Sequence, residues 1–78
     1  MTRDDWLARF ASEVGVAPPN AEEAEALLEL AGAAARASER TAAPLTCWLA
    51  ARAGLGATQA LAIARQLASD IEGDAARA

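Results

Sequence analysis

Hydrophobic positions recur at three- and four-residue intervals in four blocks along the chain, separated by short breaks that contain proline, glycine or polar residues. That period belongs to amphipathic helices rather than to strands. In the first block Trp6, Leu7, Phe10, Ala11 and Val14 form one apolar stripe. Thr2 stands before it as an N-cap, with Asp5 three residues on in a capping-box arrangement, and Asp4 and Asp5 suit the positive end of the helix dipole. Gly15 follows the stripe, where a left-handed residue commonly closes a helix. The spacing predicts a helix over 3–14.

The loop Val16-Ala17-Pro18-Pro19 then breaks the chain, since consecutive prolines cannot continue a helix. Asn20 and Glu23 make a second capping signature. They open a helix over 21–38, acidic at its start (Glu22, Glu23, Glu25), with Arg36 and Arg40 near its end. Its stripe is Ala24, Leu27, Leu28, Ala31, Ala34 and Ala35, and the alanines there let another helix approach closely. Pro44 suits the first position of a third helix over 44–53, where a missing N–H costs nothing. Leu45, Trp48 and Leu49 form its apolar face, and Gly54 ends it. Thr58 caps a fourth helix over 58–72, whose stripe is Leu61, Ala64, Leu67, Ala68 and Ile71, with Gly73 as its stop.

The expected fold is therefore all-α, a single four-helix domain over residues 1–73 with a frayed tail over 74–78. Its expected core is Leu7, Phe10, Leu27, Leu28, Leu45, Trp48, Leu49, Leu61, Leu67 and Ile71. Eleven consecutive positions, Thr41 to Ala51, carry no charge. A helix without charge is most simply one surrounded by its neighbours, so the third helix is expected to be central, with Trp48 as its anchor.

Composition narrows the energetics. At 78 residues the chain builds one core, and a chain of this size buries only ~60% of its unfolded surface. Hydrophobic residues make up 54%, but 24 residues are alanine, which favours helix and buries little area. The margin of stability is narrow, and association with another chain is one way to widen it.

Charge and cysteine usage exclude several classes. The net charge is −4, with seven arginines scattered along the chain and no lysine. Nucleic-acid binding needs a basic face, and anionic membrane surfaces attract basic segments, so neither is an expected partner. No apolar run approaches the ~20 residues of a membrane span. The N-terminal MTRDDWLARF has acids where a signal peptide needs an apolar run. One cysteine makes no intramolecular disulfide, and the expected location is the cytoplasm.

Candidate chemistry is sparse. Cys47 lies near a helix N-terminus, which lowers a thiol pKa, yet the chain has no histidine to serve as its base. We read it as a small core residue. Glu22, Glu25 and Glu29 share a helix face, but a dedicated Ca²⁺ or Mg²⁺ site draws its oxygens from a shaped loop. That cluster reads as a solvated face or a docking surface for a basic partner. Neither a phosphate-binding glycine loop nor a Cys/His metal set is present, so no catalytic residue, metal or cofactor is expected. Trp6, near the terminus, is a candidate interface anchor.

Residues Asp4-Asp5-Trp6-Leu7, the leucines Leu27, Leu28 and Leu30, and Ala42-Ala43-Pro44-Leu45-Thr46 carry a resemblance across nearly the whole chain. It resembles a small actinobacterial family of uncharacterised domains, found alone or as the C-terminal extension of molybdenum cofactor guanylyltransferase-like proteins. The resemblance implies a non-catalytic accessory module beside molybdopterin guanylylation, with a molybdenum cofactor nucleotidyltransferase as partner. The alternative expectation is a structural homodimer without a ligand, its small-residue helix faces packed together. For the accessory module the expected contact surfaces are the acidic face of the second helix, Glu22, Glu25 and Glu29, and the alanine-rich side that follows, with Trp6 as a further candidate.

Overall fold

The computed structural model describes residues 1–77, and all its regular structure is helical: α1 Arg3–Val14, α2 Ala21–Ala37, α3 Ala42–Arg52 and α4 Ala57–Arg77. Among the described residues there is no strand, so the chain is the small all-α domain that its pattern predicts.

Two capping boxes start the helices where the sequence places them. The Thr2 hydroxyl accepts from the Asp5 N–H at 3.0 Å, and the Asn20 side chain accepts from the Glu23 N–H at 2.8 Å. The Glu23 carboxylate returns the contact, accepting from the Asn20 N–H at 3.0 Å. Two glycines stop helices by taking left-handed backbone, Gly15 with φ 78° and Gly54 with φ 75°. At each, the following residue donates back into the last turn: Val16 N–H to the Ala11 carbonyl and Leu55 N–H to that of Ala50, both at 3.0 Å. This is the Schellman closure, which satisfies carbonyls the helix itself cannot pair.

Three boundaries differ from the sequence reading. Helix α3 begins at Ala42, not at Pro44, because a turn at 39–41 feeds it: Ala42 N–H donates to Glu39 and Ala43 N–H to Arg40. Pro44 is then the third helical residue, still among the N–H positions without an intrahelical acceptor, so the ring is tolerated. Helix α4 begins at Ala57, and Thr58 lies inside its first turn rather than capping it. At Gly73 the helix does not stop, for this glycine keeps a negative φ. Glycine ends a helix by going left-handed, and otherwise only weakens it by roughly 0.5–1 kcal/mol. Of the expected tail, residues 74–77 continue α4, and Ala78 lies outside the described residues.

The central element is α2, not α3. Helices α3 and α4 pack on it, while α1, set off by the Pro18-Pro19 loop, stands largely apart. The core cluster is Ala26 and Leu30 of α2 with Ala60 and Leu61 of α4. Leu27, Cys47, Ala50, Leu55, Ala57 and Ala64 pack partly buried against it. Leu30 alone reaches 1% exposure. Helices α2 and α4 thus meet through Ala26 and Ala60 beside the two leucines.

Of the expected core, Leu61 is buried and Leu7 and Leu27 are half-buried. Phe10, Leu28, Leu45, Trp48, Leu49, Leu67 and Ile71 are exposed, which corrects the expectation for these seven. The reason is geometric. Helix α3 meets α2 through Ala43, Thr46, Cys47 and Ala50, all half-buried, and the larger Leu45, Trp48 and Leu49 occupy the other side. On α1 the single stripe proves to be two, because residues five apart such as Trp6 and Ala11 sit about 140° apart around a helix. Leu7 and Ala11 turn inward, and Trp6, Phe10 and Val14 turn to solvent.

The molecule is correspondingly elongated, with extents of 48 × 24 × 19 Å and a radius of gyration of 14.3 Å. A compact chain of this length has a radius of about 11.5 Å.

Candidate functional site

Alanines around Leu30 and Leu61 hold this fold together, and many of the other large apolar side chains are left facing outward. Three helices each present an apolar face. On α1 it is Trp6, Phe10 and Val14; on α3, Leu45, Trp48 and Leu49; on α4, Ile63, Leu67 and Ile71. The total accessible surface is 6054 Å². A compact protein of the same mass exposes about 4,450 Å², so the excess is about 1,600 Å². One standard interface removes about 800 Å² from each partner, and the excess equals two of them.

The aromatic residues are arranged on these faces. Trp6 and Phe10, one turn apart, stack with ring centroids 6.0 Å apart and planes inclined by 24°. A shallow pocket of about 260 Å³ beside them is lined by Met1, Arg9 and Glu13 as well as the two rings. On α3 the Arg52 guanidinium lies 5.2 Å from the centroid of the Trp48 ring.

Between α1, α2 and α3 runs an apolar groove of about 210 Å³, lined by Leu7, Pro19, Ala24, Leu27, Leu28 and Cys47 among others. Burial pushes the Cys47 thiol above its ordinary pKa, which favours the protonated form over the thiolate. A wider groove of about 390 Å³ lies between α2 and α4, where Ala33, Arg36, Arg65, Ala68, Ile71 and Glu72 meet.

The expected acidic surface is not one unit. Glu22 and Glu25 are exposed in the first turns of α2. Glu29 instead reaches across to α4, accepting from Arg65 Nη2 at 2.7 Å. Glu23 is engaged in the Asn20 cap. Trp6 stacks on its own helix rather than extending this cluster. Among the described residues no group of three or more His, Cys, Asp or Glu side chains is placed to hold a metal, and no helix is long and apolar enough to cross a membrane.

Sequence reasoning missed two things here. Leu30, the most buried residue, was passed over because it lies off the chosen stripe of α2. The signal for it was present: from Ala26 to Ala35 only Glu29 is charged, and a helix apolar nearly all round is the one its neighbours surround. The outward faces of α3 and α4 were missed because large apolar residues were assigned to the core by default.

Neither a curated protein nor a solved structure matches the chain. A family model described as a domain of unknown function, DUF6457, matches residues 1–78, and the chain belongs to that family.

Proposed function

We propose that the chain is a non-catalytic helical interaction module of the cytoplasm, whose role is to seat another protein on the Leu45–Trp48–Leu49 face of α3. The observation that carries this reading is the set of large apolar side chains left exposed on helix faces, in a chain whose surface exceeds that of a compact chain of the same mass by about 1,600 Å². Tryptophan backed by arginine is the composition of interface anchors, and Trp48 with Arg52 supplies it on α3. Glu22 and Glu25 add exposed negative charge for a basic rim on the partner.

The resemblance to domains carried as C-terminal extensions of molybdenum cofactor guanylyltransferase-like proteins names the partner class: a molybdenum cofactor nucleotidyltransferase. In this reading the partner supplies the nucleotide chemistry and the present chain supplies a docking surface, with no cofactor of its own. Calorimetric titration of the chain into such a purified transferase tests it. Saturable binding, weakened at least tenfold by Trp48→Ala and further by Glu22→Arg with Glu25→Arg, is the expected result. Absence of heat at every concentration, or binding indifferent to Trp48, would overturn it.

A further inference from the structure

Helix α1 carries an apolar face that the α2–α4 body does not use, and its side chains are matched to their own two-fold image. We propose that the chain pairs with a second copy of itself through Trp6, Phe10 and Val14, the two α1 helices antiparallel about an axis at Phe10, with Arg9 of each copy against Glu13 of the other. This rests on the reading of the chain as an interaction module and names one of its partners.

Four observations converge on the second copy. The first is area: the chain exposes about 1,600 Å² more than a compact chain of its mass, and Trp6, Phe10 and Val14 of α1, each more than half exposed, are among the large apolar side chains it leaves uncovered. The second is shape. A two-fold contact brings each residue against the one equally far on the other side of the axis. Trp6 and Val14 lie four residues either side of Phe10, so antiparallel pairing sets the largest side chain of the face on the smallest. Phe10 meets Phe10, and the alternation of large and small lets the layers interdigitate. The Trp6–Phe10 stack presents these two rings as one surface.

The third observation is charge. Arg9 and Glu13 lie one turn apart on the same flank of the face, beside the rings. In an antiparallel pair like flanks face each other, so each Arg9 approaches the opposite Glu13 and the apolar strip gains a reciprocal polar rim. The fourth concerns the alternative surface. A small-residue contact between α2 and α4, of the kind that would serve a close-packed dimer, is already made inside the chain, where Ala26 and Leu30 meet Ala60 and Leu61.

A twelve-residue helix offers a contact at the small end of the specific range, below about 1,200 Å² in total. The pairing is therefore a reversible monomer–dimer equilibrium rather than a permanent assembly. Such a contact adds stability by mass action to a chain whose own core is small.

Sedimentation equilibrium of the full chain tests the proposal. The weight-average mass of the wild type rises with concentration from 8.0 kDa toward twice that value. Phe10→Glu holds it at the monomer mass at every concentration, with circular dichroism reporting that α2–α4 remain helical. Arg9→Glu and Glu13→Arg each weaken the dimer at least threefold, and the two together restore it. A wild type that stays monomeric to millimolar concentration overturns the dimer, and leaves the transferase titration, read at Trp48, unaffected. A dimer indifferent to Phe10→Glu overturns the assignment to α1, and charge reversals without rescue overturn the antiparallel geometry.

Discussion

The guanidinium of Arg52 lies 5.2 Å from the centroid of the Trp48 ring, one turn further along α3, and Trp48 remains 58% exposed. The largest side chain of the helix thus lies on the surface, held by a cation on its own helix. A cation–π contact at such a site contributes about 0.5–1 kcal/mol. Trp48→Ala is therefore expected to lower the stability of the isolated chain by no more than about 1 kcal/mol. Leu30→Ala, at the centre of the core, is expected to cost about 2–5 kcal/mol. Urea unfolding of the two variants checks the contrast, and an equal loss would return Trp48 to the core.

The capping boxes differ in consequence although they match in geometry. Asn20 opens α2, on which α3 and α4 both pack. Asn20→Ala is expected to cost about 1 kcal/mol of global stability. In a domain of this size that lowers the melting temperature by about 4–8 °C. Thr2 opens α1, which stands apart from the others. Thr2→Ala should reduce α1 helicity and speed its amide exchange while the main thermal transition stays within about 1–2 °C of wild type.

Cys47 gives a pH dependence of defined sign. Burial raises its pKa in the folded state, so the folded chain holds the thiol proton where the unfolded chain has begun to lose it. Stability is then full below the ordinary thiol range and falls as pH rises through that range toward the folded value. Cys47→Ala should flatten this alkaline decline. A maleimide probe should label the native thiol more slowly than the unfolded one, and equal rates would count against its burial.

The Glu29–Arg65 pair joins α2 to α4 at 2.7 Å, with the two side chains 47% and 63% exposed. Water screens it, and a double-mutant cycle with Glu29→Gln and Arg65→Gln should return a coupling below about 1 kcal/mol. The coupling should fade as salt is raised to molar concentration. A value that resists salt would show that the groove beside it is drier than its geometry indicates.

Local features were legible in the sequence and long-range ones were not. Thr2 with Asp5, Asn20 with Glu23, and the stops at Gly15 and Gly54 fall where the pattern places them, because each is decided within one helical turn. Gly73 misled because a glycine ends a helix only through its backbone angle, which residue identity permits but does not impose. Trp48 and Phe10 misled for a different reason. Hydrophobic periodicity states that a face avoids water, not whether its own chain covers it. In an alanine-rich chain, α3 and α4 meet α2 through residues such as Ala50 and Ala60, and the bulky side chains fall outside. The same property left the candidate surface unread: Leu45, Leu49, Ile63 and Leu67 look identical in a core stripe and in an interface stripe.

Acrylamide quenching of Trp6 and Trp48, each observed alone after Trp48→Phe or Trp6→Phe, tests the central claim most directly. At the lowest concentration the account predicts that both indoles are readily quenched, as rings more than half exposed must be. With rising concentration Trp6 becomes shielded, whereas Trp48 stays open until a partner protein is added. Two tryptophans shielded from the quencher in the dilute monomer would contradict it, and would mean that the chain covers its own apolar faces.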